Sequence, residues 1–261
     1  MKFLDRILAQ KQKEVDAHKA AISIEALKKE TAPATRSLAK ALQAQGMSII
    51  SEVKRKSPSK GILRPDLEPI PYARMYEKNG ASAISVLTDT EFFAGTPEDL
   101  KGVRQEVSIP VLRKDFIIDP HQIYASRSMG ADAILLIARI LTFEQLRDYL
   151  ALARELSMDA LVEIHGDAEL EMALKAGAKI IGVNSRDLDT FQVDLNTAVR
   201  LRKQMPNDCV SVAESGIRTH EDLLWLRESG FDAALIGETL VKAPDPGKKL
   251  YELIHGQGTS A

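Results

Sequence analysis

The sequence predicts an α/β fold, a single (β/α)8 TIM barrel with an extra N-terminal helical segment. Three features of the chain point to it. First, a glycine followed by an apolar run recurs at NGASAISVLT (79–88), MGADAILLIA (129–138), AGAKIIGVN (176–184) and SGFDAALIG (229–237). Second, SIISEV (48–53), IPVLRK (109–114), DALVEI (159–164) and CVSVAE (209–214) bring the strands to eight, with starts 19–34 residues apart. That spacing holds one strand and one crossover helix, as parallel neighbours require. Third, charged residues gather where these runs end, and barrel active sites lie at the carboxyl ends of the strands. A doubly wound open sheet is the competing topology. It would call for a glycine-rich dinucleotide turn, and neither GxGxxG nor GxxxxGK[ST] occurs.

In chain order, residues 2–19 carry Leu4, Ile7, Leu8 and Val15 at helical spacing among charged residues, which predicts an amphipathic helix. Further helical segments follow near Ile24–Glu30 and Ser37–Ala44, and Gly46 closes this extension, residues 1–46. In each repeat the glycine is expected to end a helix in the left-handed conformation. The apolar run after it reads as a strand buried on both faces. Between strands, Thr142 and Gln145 form a capping box ahead of a stripe of Phe143, Leu146, Leu150 and Ala153. Thr219 is placed to cap the helix bearing Leu223 and Leu226, and Pro120 and Pro244 stand where helices are expected to begin. The whole chain, 1–261, reads as one domain, with 256–261 a flexible tail.

Composition narrows the function classes. A net charge of −2 supplies no basic field for nucleic acid, and the run Lys54-Arg55-Lys56 lacks interleaved aromatics. The single cysteine, Cys209, excludes an internal disulfide and suits the cytoplasm. Charges scattered through the N-terminus argue against a signal peptide, and no 18-residue apolar run exists to span a membrane. The five histidines have no metal-ligand spacing, so no metal is expected.

The strand ends carry the chemistry. Within MSIISEVKRKSPSKG (47–61), Glu52 and Lys54 project from the same face of the first strand, as either a structural ion pair or the start of a site. The other ends supply Thr88, Lys114 with Phe116, Glu163, Asn184 with Arg186, Glu214-Ser215-Gly216 and Gly237-Glu238. Cations and carboxylates converging on one rim suggest a polar site, since isolated buried charges are costly. Glu163 is flanked by apolar residues, and burial raises a carboxyl pKa, which suits a general base or acid. Lys114 shares a face with Leu112 and Phe116, and among apolar groups its pKa is expected to fall. The alternatives are a glutamate satisfied by a nearby cation and a lysine snorkelling to the rim. His165 shares the face of Glu163 and either reaches the rim or stays peripheral. The loops after the last two strands suit phosphate, although Gly also occurs in plain turns.

ISEVKRKSPSKG, LTDTEFFAG, PVLRKDFIID, ADAILLIARIL, LVEIH, IGVNSRDL, VAESGI and LIGE, in this order to about residue 254, resemble the indole-3-glycerol-phosphate synthase family of tryptophan biosynthesis. The resemblance implies a barrel with an N-terminal helical segment and no cofactor or metal. It implies a carboxy-lyase that closes the ring of 1-(2-carboxyphenylamino)-1-deoxyribulose 5-phosphate, with loss of CO2 and water, to give indole-3-glycerol phosphate. By that resemblance Lys114 is the catalytic acid and Glu163 the general base. Lys54 is a second lysine that contacts the substrate and serves dehydration, and Glu52 is an essential orienting acid. Ser57, Asn184, Arg186, Leu188, Glu214 and Ser215 contact substrate. Pro58, Phe93, Phe116 and Leu135 enclose the aromatic ring, and Gly216, Gly237 and Glu238 bind phosphate. Glu238 departs from the small serine of several members, so its carboxylate must turn away from the phosphate. The only partner implied is a small phosphorylated substrate. A monofunctional monomer is expected, since the chain shows no second barrel. Two other readings stay open at this point: another phosphate-binding barrel enzyme such as a sugar-phosphate isomerase, and a non-catalytic barrel acting as a partner.

Overall fold

The computed structural model describes residues 3–30, 32–44, 46–58, 60–187 and 191–256. Eight parallel strands close into a barrel: β1 (Ser48–Val53), β2 (Ala83–Leu87), β3 (Val111–Lys114), β4 (Ala133–Ile137), β5 (Asp159–Ile164), β6 (Ile180–Asn184), β7 (Val210–Glu214) and β8 (Ala233–Ile236). Closure joins β1 to β8, with Ile50 opposite Leu235, and to β2, with Glu52 opposite Ser85. Ile50, Leu112, Leu135, Leu161, Val212 and Leu235 fill the interior, while Ile49, Ile84, Ile134, Val162, Ile181 and Ala234 pack outward under the helices. Both faces of each strand are therefore buried, which accounts for the unbroken apolar runs.

Local signals set the element ends. The glycines of the four repeats, Gly80, Gly130, Gly177 and Gly230, all have positive φ. The capping box of Thr142 and Gln145 opens the helix Phe143–Glu155, and Thr219 caps His220–Glu228. Pro120 begins its helix, but Pro244 does not: the last helix starts at Pro246 behind an Asp245 cap, whose side chain accepts from Lys248 N. Asp245 offers the side-chain acceptor that a helix start needs, and Pro246 fits the first helical position. Of the tail at 256–261, only Gly256 lies among the described residues. No helix among the described residues is long and apolar enough to cross a membrane.

The N-terminal extension closes both ends of the barrel. At the amino ends, the short helix Leu38–Leu42 inserts its two terminal leucines, both fully buried, into the interior cluster. Asp159 accepts from Ser37 Oγ and Ala39 N, and Asp132 from Arg36 N, which holds the plug in place. At the carboxyl ends, α1 (Phe3–Ala21) lays Leu4 and Ile7 against the rim. Its anchor is Lys11, 4% exposed, with Nζ 2.9 Å from both Asp89 and Asp115, the residues just past Thr88 and Lys114. Burial tends to lower the Lys11 pKa, but Asp115 and Asp89 outweigh it and raise it. Burial likewise tends to raise Asp115, but Arg113 and Lys11 bring it down to about 2. Lys11 is spaced three and four residues from Leu8, Ile7 and Val15, so it falls on the apolar stripe and is buried with it. Among the described residues, Lys11→Ala would leave Asp89 with no cation and Asp115 with Arg113 alone. We expect a loss of about 3–5 kcal/mol in urea unfolding; a loss below about 1 kcal/mol would show that α1 is not anchored here.

Candidate active site

Two residues beyond each interior apolar position, the odd-numbered strands change chemistry. Ile50, Leu112, Leu161 and Val212 are followed on the same face by Glu52, Lys114, Glu163 and Glu214. Barrel interiors stack in layers of four side chains from alternate strands, and here the layer nearest the carboxyl ends is ionisable throughout. Lys114 Nζ lies 3.2 Å from Glu52 Oε2 and 3.3 Å from Glu214 Oε2. Lys54, just past β1, pairs with the other oxygen of Glu52. Asn184 Nδ2 donates to Glu163 Oε1 at 3.2 Å. Two glycines on the even side make room. A Cβ at Gly182 would overlap the Glu214 carboxylate, and one at Gly237 would overlap that of Glu52.

The electrostatics reverse one expectation from the sequence. Lys114 does not lose its proton easily. Burial favours the neutral amine, but Glu52, Glu214 and Glu163 outweigh it and raise the pKa. The apolar neighbours in sequence, Leu112 and Phe116, are not its neighbours at Nζ, which lies among carboxylates. Glu52 is pushed up by burial and pulled down further by Lys114 and Lys54, to about 2. The carboxyl that burial lifts is Glu214: Lys114 only partly offsets the burial, Glu163 adds repulsion, and the pKa stands at about 8.

The residues to which the family resemblance gives a role gather around one pocket wherever they fall among the described residues. Leu188 lies outside those residues. Ser57 and Pro58 come from the loop after β1, which Arg55 ties down through a bidentate pair with Asp99 and a bond to Ala94 O. Arg55 is thus more than a solvated loop charge. Phe93 and Phe116, with ring centroids 6.1 Å apart, form an apolar wall with Leu135. Opposite them, Ser215 and Gly216 have consecutive positive φ, +66° and +83°. Ser215 is a strained position for a residue with a Cβ, of the kind found at functional sites. Gly237 leads into the short helix Glu238–Val241. The Glu238 carboxylate is held by Lys242 at 2.6 Å and Arg186 at 3.4 Å. The Arg186 backbone N–H in turn donates to Asn184 Oδ1 at 3.0 Å.

Thr88 does not reach this pocket. It is buried behind the rim, donating to Asp115 at 2.7 Å and accepting from Arg113 Nε at 3.0 Å. Leu4 and Ile7 of α1, Leu87, Ile137, Phe191 and Thr239 also line the pocket. The strand alternation could have supplied Leu87 and Ile137, which occupy rim positions. The apolar stripe of α1 was visible, but not the surface it covers. Among the described residues, no group of three acidic, histidine or cysteine side chains could hold a metal ion.

The family model for indole-3-glycerol phosphate synthase matches residues 4–253. The chain belongs to the indole-3-glycerol phosphate synthase family. Relatives of that name from Chlorobaculum tepidum and Syntrophobacter fumaroxidans are each 48% identical to it. The first match covers 94% of this chain and 97% of the relative, the second 96% and 97%. Among solved structures, thiamine phosphate pyrophosphorylase from Pyrococcus furiosus aligns with a TM-score of 0.62 at 17% identity, over 83% of this chain and 96% of that one. A 3-hexulose-6-phosphate synthase from Salmonella typhimurium aligns at 0.64 and 14%, over 80% and 98%. At such identities these two bear on the barrel fold alone.

In this synthase-family barrel the raised Glu214 pKa has a definite sign for stability. Between its ordinary value of 4.5 and about 8, the folded state holds a proton that the unfolded state has released. Stability therefore falls as pH rises through that window. Glu214→Gln keeps a neutral group of the same shape, so its urea midpoint should gain on that of the unsubstituted chain between pH 5 and pH 9. A difference that stays constant over this range would rule out a proton shared at Glu214.

Proposed function

We propose that the chain converts 1-(2-carboxyphenylamino)-1-deoxyribulose 5-phosphate to indole-3-glycerol phosphate, CO2 and water, as a carboxy-lyase of tryptophan biosynthesis. The observation that carries this reading is the buried layer Glu52, Lys114, Glu163 and Glu214 beside an aromatic wall, with Lys54 on its edge. The ring carbon bearing the carboxylate must attack the ketone, and the ketone oxygen then needs a proton. Lys114, held charged beside the Glu52 carboxylate, donates it. Loss of CO2 returns its bonding pair to the ring and restores aromaticity. The new hydroxyl then leaves as water with a proton from Lys54, while Glu163 removes one from the adjacent methylene carbon. Two protons are given and one is taken, so one is consumed overall when the substrate carboxylate starts ionised. No electrons enter or leave, so the sequence needs acids and a base but no redox cofactor.

Glu52 orients both lysines, since each of its oxygens faces one of them. The anthranilate-like ring lies between Pro58, Phe93, Phe116 and Leu135, with its carboxylate toward Lys54 and Ser57. Asn184, Arg186, Leu188, Glu214 and Ser215 contact the chain of the sugar. The phosphate is bound by backbone N–H groups around Gly216, Gly237 and Glu238, the place where barrels commonly hold one. The Glu238 carboxylate is engaged by Lys242 and Arg186 rather than by the phosphate. A cytoplasmic monomer acting on this small phosphorylated substrate, without nucleic acid or membrane, completes the proposal.

Incubating the purified protein with the carboxyphenylamino substrate tests the reading. A rise in indole absorbance and fluorescence is expected. Turnover of an aldose phosphate alone would favour a sugar-phosphate isomerase, and no turnover a non-catalytic barrel. Lys114→Ala and Glu163→Gln should each lower kcat by a factor on the order of 10² or more. Near-normal kcat in both would overturn the assigned roles.

A further inference from the structure

Behind Glu163 stands a second ion-pair chain that the reaction scheme does not use. His165 follows β5 on the same side as Glu163, and its side chain is only 3% exposed. Its backbone N–H donates to Glu169 Oε2 at 2.7 Å, and its Nδ1 lies 3.2 Å from the same oxygen. Glu169 sits in the first turn of the helix Asp167–Lys175. Its other oxygen accepts from Arg139 Nε at 3.0 Å, and Arg139 reaches on toward Asp187, 3.9 Å away. The ring cannot turn without breaking this clamp. Its Nε2 is thereby held 3.4 Å from Glu163 Oε1, at ion-pair distance but outside hydrogen-bond geometry, and it has no hydrogen-bond partner among the described residues.

The proton positions follow from the neighbours. Glu169 accepts from both Arg139 and His165, and these partners outweigh its burial and lower its pKa. An ionised carboxylate only accepts, so Nδ1 carries hydrogen. A neutral ring would then set the bare lone pair of Nε2 beside a second carboxylate. The imidazolium instead places its charge between the two carboxylates. Burial opposes that charge, but Glu169 and Glu163 outweigh it and raise the His165 pKa. Asn184 Nδ2 donates to the same Oε1, so the amide and the imidazole both approach one oxygen of Glu163.

We propose that His165, clamped by Glu169 and Arg139, is a positioning residue: it fixes Glu163 through Oε1 and leaves Oε2 as the oxygen that removes the substrate proton. This rests on Glu163 being the base. The charged and titratable groups facing His165 are Glu163 from β5, Glu169 from the following helix, and Arg139, with Asp187 behind it, from the turn after β4.

Kinetics of His165→Leu and His165→Gln, alone and combined with Glu163→Gln, test the proposal. His165→Leu should lower kcat about 10-fold to 100-fold and leave KM within about threefold. The amide of His165→Gln should recover part of kcat. It also serves if the leucine variant fails to fold. In the Glu163→Gln background neither change should lower kcat further, since both act through Glu163. Wild-type kcat in both His165 variants, or an equal loss with and without Glu163, would overturn the proposal. Undiminished kcat in Glu163→Gln by itself would instead overturn the reading of Glu163 as base.

Discussion

A lysine held charged inside a barrel is the constraint on which this structure turns. Lys114 sits where a barrel normally places a branched apolar side chain. A buried charge costs several kcal/mol unless it is paired, so the layer around it must be ionic as well. Glu52 and Glu214 meet it on two sides, and each demand propagates. Glu52 is satisfied twice, by Lys114 and Lys54, and remains ionised well below the usual carboxylate range. Glu214 shares its single lysine with Glu52 and also faces Glu163. The layer sheds its excess negative charge there, at a carboxyl lifted to about 8. Lys114, Glu52 and Glu214 are thus one electrostatic unit.

The same layer dictates the backbone around it. Four long ionisable side chains cannot share one level with four more side chains from the even strands. Gly182 on β6 and Gly237 after β8 yield their volume to the carboxylates of Glu214 and Glu52. Those glycines belong to the charged layer before they belong to any loop. Gly237 thus has a steric reason to be glycine apart from any part in phosphate binding. The other even positions, Leu87 and Ile137, stay apolar and line the pocket.

What the sequence reveals follows from how local each signal is. Strand alternation repeats every two residues, so Glu52, Lys114, Glu163 and Glu214 could be assigned to one rim once eight strands were counted. Helix caps and terminating glycines need only a few neighbouring residues, and Thr142, Thr219 and the repeat glycines sit as expected. Pro244 was misread because two helix-compatible prolines lie two residues apart and only Asp245 decides between them. The misses otherwise concern partners distant in sequence. The environment of Lys114 is set by strands β1, β5 and β7, not by Leu112 and Phe116. Lys11 meets Asp89 and Asp115 across more than 75 residues, which no spacing within α1 discloses. Thr88 ends a strand as required but is drawn behind the rim by Arg113 and Asp115.

The sharing of Glu52 bears on how two lysines divide the proposed acid chemistry. Lys114 is fixed from two sides by Glu52 and Glu214, whereas Lys54 has Glu52 as its one ion-pair partner among the described residues. A proton delivered to the ketone oxygen must come from a fixed point, because the carbon–carbon bond forms only in one alignment of ring and carbonyl. The leaving hydroxyl swings away from that point as the ring regains aromaticity, and a less confined donor can follow it. Once either lysine has given up its proton, the full charge of Glu52 falls on the other and strengthens its hold on its own. The two acids are therefore expected to act in turn rather than together. Ring closure would come first, from the buried lysine, and dehydration second, after that lysine has been reprotonated.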